Sequence, residues 1–264
     1  MATADVVSTV GPVVPYAPGW FDRLEDRIAR SRIPAVPVYL GLALVLVAVQ
    51  AAIQWNGTGT IAIFPLVFVI TPVANLAIMH HLDGVAGRAL QRFRPILTGS
   101  DADYEDLHYR LTTLPARGTI IATLLGCAFA LINLSVLPFS LLIDGLQFAS
   151  TPLSVHFNNA FAIVVWAVIA VFIYHSIHQL RIVQQVYARV SSADLFVLHP
   201  LYAFSSLSAL TAVWVTVISA TWAIFASEVM MTGIGLGVII AFTLFSLFVF
   251  VYPLLGAHLL LADE

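Results

Sequence analysis

The chain contains no lysine, one cysteine (Cys127) and little charge of any kind: Asp, Glu, Lys and Arg together make up 9% of its 264 residues. A lone cysteine excludes an intrachain disulfide framework and a thiolate metal cluster. Scarce charge beside 60% apolar residues and a mean hydropathy of +0.97 excludes an ordinary soluble domain. The absence of lysine leaves eleven arginines as the entire basic complement, which a GC-rich coding sequence is enough to explain. Also missing are HExxH, EF-hand, CxxC and phosphate-loop patterns, a catalytic triad and a nucleic-acid-binding patch. Gly233, Gly235 and Gly237 lack the glycine spacing and preceding strand of a dinucleotide fingerprint, so they read as helix-packing glycines or a flexible helix start. These absences favour a protein that is not an enzyme.

What is present is a series of stretches without Asp, Glu, Lys or Arg: 33–82, 118–143, 145–180, 195–227 and 229–262. A helix needs about 20 apolar residues to cross a bilayer, so the first stretch holds two crossings around the turn Asn56 to Thr60 and each of the others holds one. The expected fold is therefore all-α: a polytopic integral membrane protein with six transmembrane helices and amphipathic cytoplasmic helices. The crossings are placed at 37–55, 61–81, 119–142, 160–174, 201–225 and 232–255, with the fourth continuing as a polar extension to Arg189. Pro65 and Pro72 are expected to kink the second crossing.

Residues 1–18 lack periodicity and read as a mobile N-terminal tail. They have no positive region followed by an apolar one, so the first crossing serves as its own targeting signal. Residues 19–36 read as an interfacial amphipathic helix, with Trp20, Phe21, Leu24 and Ile28 on one face and Arg23, Asp26, Arg27 and Arg30 on the other. The remainder, 37–264, is the six-span transmembrane domain, including a cytoplasmic helical hairpin at 80–117. Its first arm sets Leu82, Val85, Ala86, Ala89, Leu90 and Phe93 against Asp83, Arg88, Gln91, Arg92 and Arg94. Its second arm starts at Ser100 as N-cap, carries Asp101, Asp103 and Glu105 in its first turn, and turns Tyr104, Leu107, Leu111 and Leu114 to one side before Pro115.

Six crossings with the N-terminus inside place all eleven arginines on the inner side. The positive-inside rule then predicts a bacterial inner (plasma) membrane protein, multi-pass, with both termini cytoplasmic. Trp55 and Trp222 fall at the outer interface. Arg23, Arg27, Arg30, Arg88, Arg92 and Arg94 are placed to meet anionic lipids of the bilayer.

Three groups of residues could carry function. Seven of the eight histidines fall on the inner side. His175 and His178 lie on adjacent turns of one helix, while His80, His81 and His258 end other crossings, so a metal or haem site is one reading. The competing reading is that histidine suits helix ends at an interface. On the fifth crossing Ser205, Ser208, Ala212, Thr216, Ser219 and Ala223 share one face, as a packing ridge or a pore lining. Asp144 and Glu228 are the outer carboxylates, which an oligomer could gather at a mouth. Asn75 and Asn133 are expected to bridge helices. No internal repeat is visible.

The first functional expectation is an oligomeric channel or channel-like permeation protein. The alternatives are a membrane sensor or scaffold module that couples to a cytoplasmic partner through 80–117, and a membrane-embedded metal or haem protein using the inner histidines. Expected partners are the lipid bilayer with its anionic lipids and either further copies of the chain or other subunits of a membrane complex. No nucleic acid is expected, and the sequence names no cofactor.

Overall fold

The computed structural model describes residues 15–136, 151–189, 203–225 and 227–262, with side chains described for all of these except 228, 229 and 253–262. Residues 1–14 of the tail, Asp144, His199 and the 190–202 connection lie outside the described residues. So do the side chains of Glu228 and His258.

Among the described residues the chain forms α1 (Trp20–Arg30), α2 (Ala35–Thr58), α3 (Ile63–Phe93), α4 (Asp101–Thr112), α5 (Ala116–Val136), α6 (Pro152–Tyr187), α7 (Ser205–Phe225), α8 (Ser227–Met230) and α9 (Gly233–Ala262). A short 3-10 turn, Arg94–Ile96, follows α3. Helices α2, α3, α5, α6, α7 and α9 are long and apolar enough to span a membrane, as the charge-free stretches predict.

One boundary and one expected kink differ from the sequence reading. The second crossing does not end at His81: α3 is 31 residues long and runs on to Phe93, so the first arm of the hairpin is the same helix. Nothing between His80 and Phe93 breaks a helix except Gly84 and Gly87, and glycine only weakens one. Pro65 causes no kink, because it sits in the first turn of α3, where no intrahelical N–H is needed. Pro72 is internal, and around it Thr71 Oγ1 donates to Val67 O at 3.0 Å and Asn75 Nδ2 donates to Thr71 O at 3.0 Å. Between α2 and α3 the chain turns at Gly59, whose φ of 67° is a conformation glycine adopts without strain.

Helices α3 and α6 run parallel. Phe68 meets Phe161 near their starts, Asp83 meets His175 further along, and Phe93 meets Tyr187 at their ends. Helix α5 lies antiparallel on α6, with Gly126 against the backbone of Trp166 and Ala167. Helix α7 also runs antiparallel, its Trp214 Nε1 donating to Asn75 Oδ1 at 3.1 Å and Trp222 packing on Phe68. Helix α9 covers α7, where Ser246 Oγ donates to Ala212 O at 3.0 Å. All eleven arginines therefore fall at the end of the bundle where α3 and α6 finish and α2 and α5 begin.

The largest core lies at that same end. It joins Phe21 of α1, Leu82, Leu90 and Phe93 of α3, Leu107 and Leu111 of α4, Val183 of α6 and Phe204 before α7. A fully buried phenylalanine such as Phe21 contributes about 2 kcal/mol when removed from water. The other end has a smaller cluster around Phe64, Phe68, Val165 and Trp222. Helices α2 and α9 keep apolar faces outside the protein core, a pattern that suits hydrocarbon surroundings.

Helix α1 is fastened to protein along its apolar face. Gly19 N donates to Leu114 O at 2.9 Å, Ala116 N to Ala17 O at 3.0 Å, and Trp20 Nε1 to Thr123 Oγ1 at 2.9 Å. The end of the expected tail belongs to the same attachment, since Tyr16 Oη donates to Thr113 O and Tyr109 Oη donates to Tyr16 O, both at 2.8 Å.

Candidate functional site

Residues 80–93 carry two stripes. Leu82, Val85, Ala89 and Phe93 turn into the core, as their spacing predicts. Asp83 does not join the solvated face with Arg88 and Arg92: it is 9% exposed. It follows Met79 by four residues, precedes Ala86 by three and Leu90 by seven, and all three of those are buried, so the helix carries Asp83 against α6. There His175 and Gln179, one turn apart on one face, both reach it. His175 Nε2 lies 2.9 Å from Asp83 Oδ1, and Gln179 Nε2 donates to the same oxygen at 2.7 Å. Asp83 Oδ2 and His175 Nδ1 have no hydrogen-bond partner. The His175 ring instead stands edge-on to Phe21, with centroids 6.3 Å apart. With Asp83 accepting, the proton of His175 belongs on Nε2, a tautomer inferred from the partners.

His178 points elsewhere on α6. Its Nε2 lies 2.8 Å from Arg110 O and 3.4 Å from the Tyr16 hydroxyl, so it ties α6 to α4 and to the segment before α1. The two histidines read as sharing a metal thus address different partners.

A second polar pair lies beside the first. Glu25 Oε1 and His80 Nδ1 are 2.9 Å apart, within ion-pair distance but off the line of a hydrogen bond. The Tyr39 ring stands edge-on to His80 at 6.0 Å. Burial pushes the Glu25 carboxyl above its usual range, and the contact with His80 pulls it partly back. Burial likewise raises Asp22, whose Oδ2 and Oδ1 accept from Gly19 N at 2.8 Å and Leu114 N at 3.0 Å. Asp22 is a fastener of α1 onto the α4–α5 turn.

Glu25, His80 and Asp83 open onto a cleft of about 1470 Å³ between α1, α3 and α4. Gly84 and Gly87 leave its α3 wall without side chains there, while Glu105 and His108 belong to the opposite wall on α4. Within that wall Asp106 is paired with Arg110 at 2.9 Å. Asp103 caps its own helix through Ser100, and those hydrogen bonds hold its carboxyl below the usual range.

The remaining sequence candidates are dispersed. His81 is exposed and outside the cleft lining. Among the described residues no group of three His, Cys, Asp or Glu side chains is arranged to hold a metal ion. On α7, Ser205 is exposed and Ser208 buried, and the hydroxyls of Ser208, Thr216 and Ser219 donate to Ser205 O, Ala212 O and Val215 O of their own helix. Thr216 also meets Ser246 of α9 at 3.2 Å, so this part of the stripe packs on α9. Asn75 bridges to α7 as expected, whereas Asn133 donates to Phe129 O of its own helix. Arg23, Arg27, Arg30, Arg88, Arg92 and Arg94 are exposed, with Arg94 paired to Asp101 and stacked 4.8 Å over Tyr104.

Sequence reasoning missed Asp22 and Glu25, yet Glu25 carries its own signal. It stands four residues after Phe21 and three before Ile28, inside the apolar stripe of α1, where a carboxylate has no reason to be unless something meets it.

One consequence is measurable. A carboxyl whose folded-state pKa is raised binds its proton more tightly in the fold than in the unfolded chain, so its contribution to stability falls as pH rises through the raised value. Glu25→Gln removes that penalty. The variant is expected to melt higher than the parent at pH 8, by about 2–4 °C for each kcal/mol gained, with the gap closing as pH falls towards 4. An equal or lower melting temperature at pH 8 would show that the contact with His80 outweighs burial.

No protein-family model matches this chain, and comparisons with curated proteins and with solved structures return no significant match.

Proposed function

We propose that the chain is a membrane sensor or scaffold module. A six-helix membrane domain carries a ligand-admitting cleft at its arginine-rich end, and the segment 80–117 that walls the cleft passes its state to a partner. The observation that carries this reading is the cleft itself, together with the tie from its floor at Asp83 to His175 and Gln179 of α6, a helix of 36 residues that runs from one end of the bundle to the other. Occupancy at one end thereby has a rigid route to the other. The one-sided arginines support a cytoplasmic cleft in a bacterial inner membrane, with both termini inside. Support for a channel is thinner, since the α7 hydroxyls are spent on helix carbonyls and on the contact with α9.

Photo-crosslinking in cells tests the reading. A crosslinking residue at Ala102 or Glu105, both exposed on α4, is expected to trap a reproducible cytoplasmic protein that the same residue at Thr60, exposed at the opposite end, does not. Failure to trap any protein from α4, or the same adducts from Thr60, would count against both the partner and the orientation.

A further inference from the structure

The α3 wall of the cleft has an unusual composition. Gly84 and Gly87 place two side-chain-free positions one turn apart on a helix, where each weakens the helix relative to alanine. No crowding requires glycine at 84, since the nearest obstacle to a Cβ there is the mobile tip of Arg88 at 3.3 Å. At Gly87 a Cβ would meet His108 Nε2 of α4 at 3.2 Å, so that glycine admits the α4 wall, while Gly84 keeps room beside it that only the Arg88 tip enters; the residues flanking that room carry opposite charges.

On one flank are two carboxyl groups. Asp83 is 9% exposed and lines the cleft, and its Oδ2 has no partner. The Glu25 side chain is 16% exposed and also lines the cleft, with its Oε1 facing His80 Nδ1 at 2.9 Å. A partnerless buried carboxylate oxygen is costly, and a primary ammonium group brings three N–H donors. On the other flank Arg88 lines the cleft and, among the described residues, forms no hydrogen bond or ion pair, with its guanidinium folded back beside Gly84. A free guanidinium suits a phosphate or carboxylate. Of the other charged lining groups, Asp103 and Asp106 are engaged within α4, Arg110 is taken by Asp106, and Glu105 stands exposed on the α4 wall. A simple anion would meet Asp83 and Glu25, and a simple cation would leave Arg88 unanswered.

We infer that the cleft binds a zwitterion with a primary ammonium group, seated with its ammonium against Asp83 and Glu25 and its anionic group against Arg88, over the side-chain-free position at Gly84. Free phosphoethanolamine and the headgroup of an aminophospholipid share this chemistry. The inference rests on the sensor reading for its purpose and names the ligand class of that site.

Calorimetric titration of the full-length chain in a non-ionic detergent tests it, with phosphoethanolamine and phosphocholine as probes. Phosphocholine has the same charges but no N–H donor, and is expected to bind at least ~10-fold more weakly, the equivalent of about 1.4 kcal/mol. Glu25→Gln and Arg88→Gln should each weaken phosphoethanolamine binding by a similar factor. Gly84→Leu should abolish it, because it fills that position without altering a charge. Native mass spectrometry from vesicles containing phosphatidylethanolamine or phosphatidylcholine separates the sources. Selective retention of phosphatidylethanolamine without binding of the free headgroup assigns the site to lipid, and binding of the free headgroup assigns it to a soluble ligand. Equal affinity for both headgroups, unchanged affinity in Glu25→Gln and Arg88→Gln, or no binding in either arm overturns the inference. A crosslinked partner that persists when no zwitterion binds leaves the sensor reading standing, whereas binding without a partner removes only the coupling.

Discussion

Replacing His175 by alanine is expected to destabilise the fold by about 3 kcal/mol or more. His175 is 1% exposed and meets Asp83 at 2.9 Å. Its loss leaves a buried carboxyl with Gln179 as its remaining donor, and leaving a buried polar group without its hydrogen-bond partner costs about 1–3 kcal/mol. The truncation also opens a void beside Phe21, which joins α1 to the core. Adding His178→Ala should deepen the loss, because the contact with Arg110 O that holds α4 to α6 goes with it. The measurement is thermal unfolding of the purified variants in detergent, beside their absorption spectra and metal content. A melting temperature within about 1 °C of the parent would sink the structural role assigned to this pair. Loss of a bound metal or haem in a variant that keeps its stability would instead favour the metal reading of these histidines.

A comparable effect is expected from Gly126→Ala. A Cβ at that position would collide with Trp166 O and Ala167 Cα, both backbone atoms of α6 that cannot rotate away. Helix α5 must then shift off α6. Overpacking costs about 1–3 kcal/mol when side chains can adjust, and a backbone obstacle places this substitution at or above the upper limit. The shift would also strain the Trp20 to Thr123 hydrogen bond, which attaches α1 to α5. Gly41→Ala is the matched control, since nothing lies within 4 Å of a Cβ there and alanine favours a helix by up to about 1 kcal/mol. Equal melting temperatures for the two variants would show that α5 and α6 are not packed as closely as described.

Both positions lie where sequence reasoning was weakest. The apolar faces of α1, α3 and α4 were legible because a helical period places Phe21 with Ile28, Leu82 with Phe93 and Leu107 with Leu111 whatever the surroundings. The close approach at Gly126 was not legible, because a glycine in an apolar run looks the same whether it faces a backbone or open space, as the contrast with Gly41 shows. The histidines were legible as a group near one end of the bundle, and their partners were not. Grouping Asp83 with Arg88 and Arg92 puts it on the charged side of its helix, although its spacing from Met79, Ala86 and Leu90 points inward.

By itself the sequence determined the helical class, the six long apolar segments, the amphipathic stripes between them and the gathering of every arginine at one end. These depend on composition and on a period of about 3.6 residues, both properties of a local stretch of chain. The tertiary structure alone decided which carboxyls are buried, that His175 and Gln179 converge on an aspartate 92 and 96 positions earlier, and that α1, α3 and α4 enclose a polar cleft. The burial and pairing of a charge depend on which helix is laid beside it, and the parallel packing of α3 and α6 leaves no mark on the local pattern of either helix.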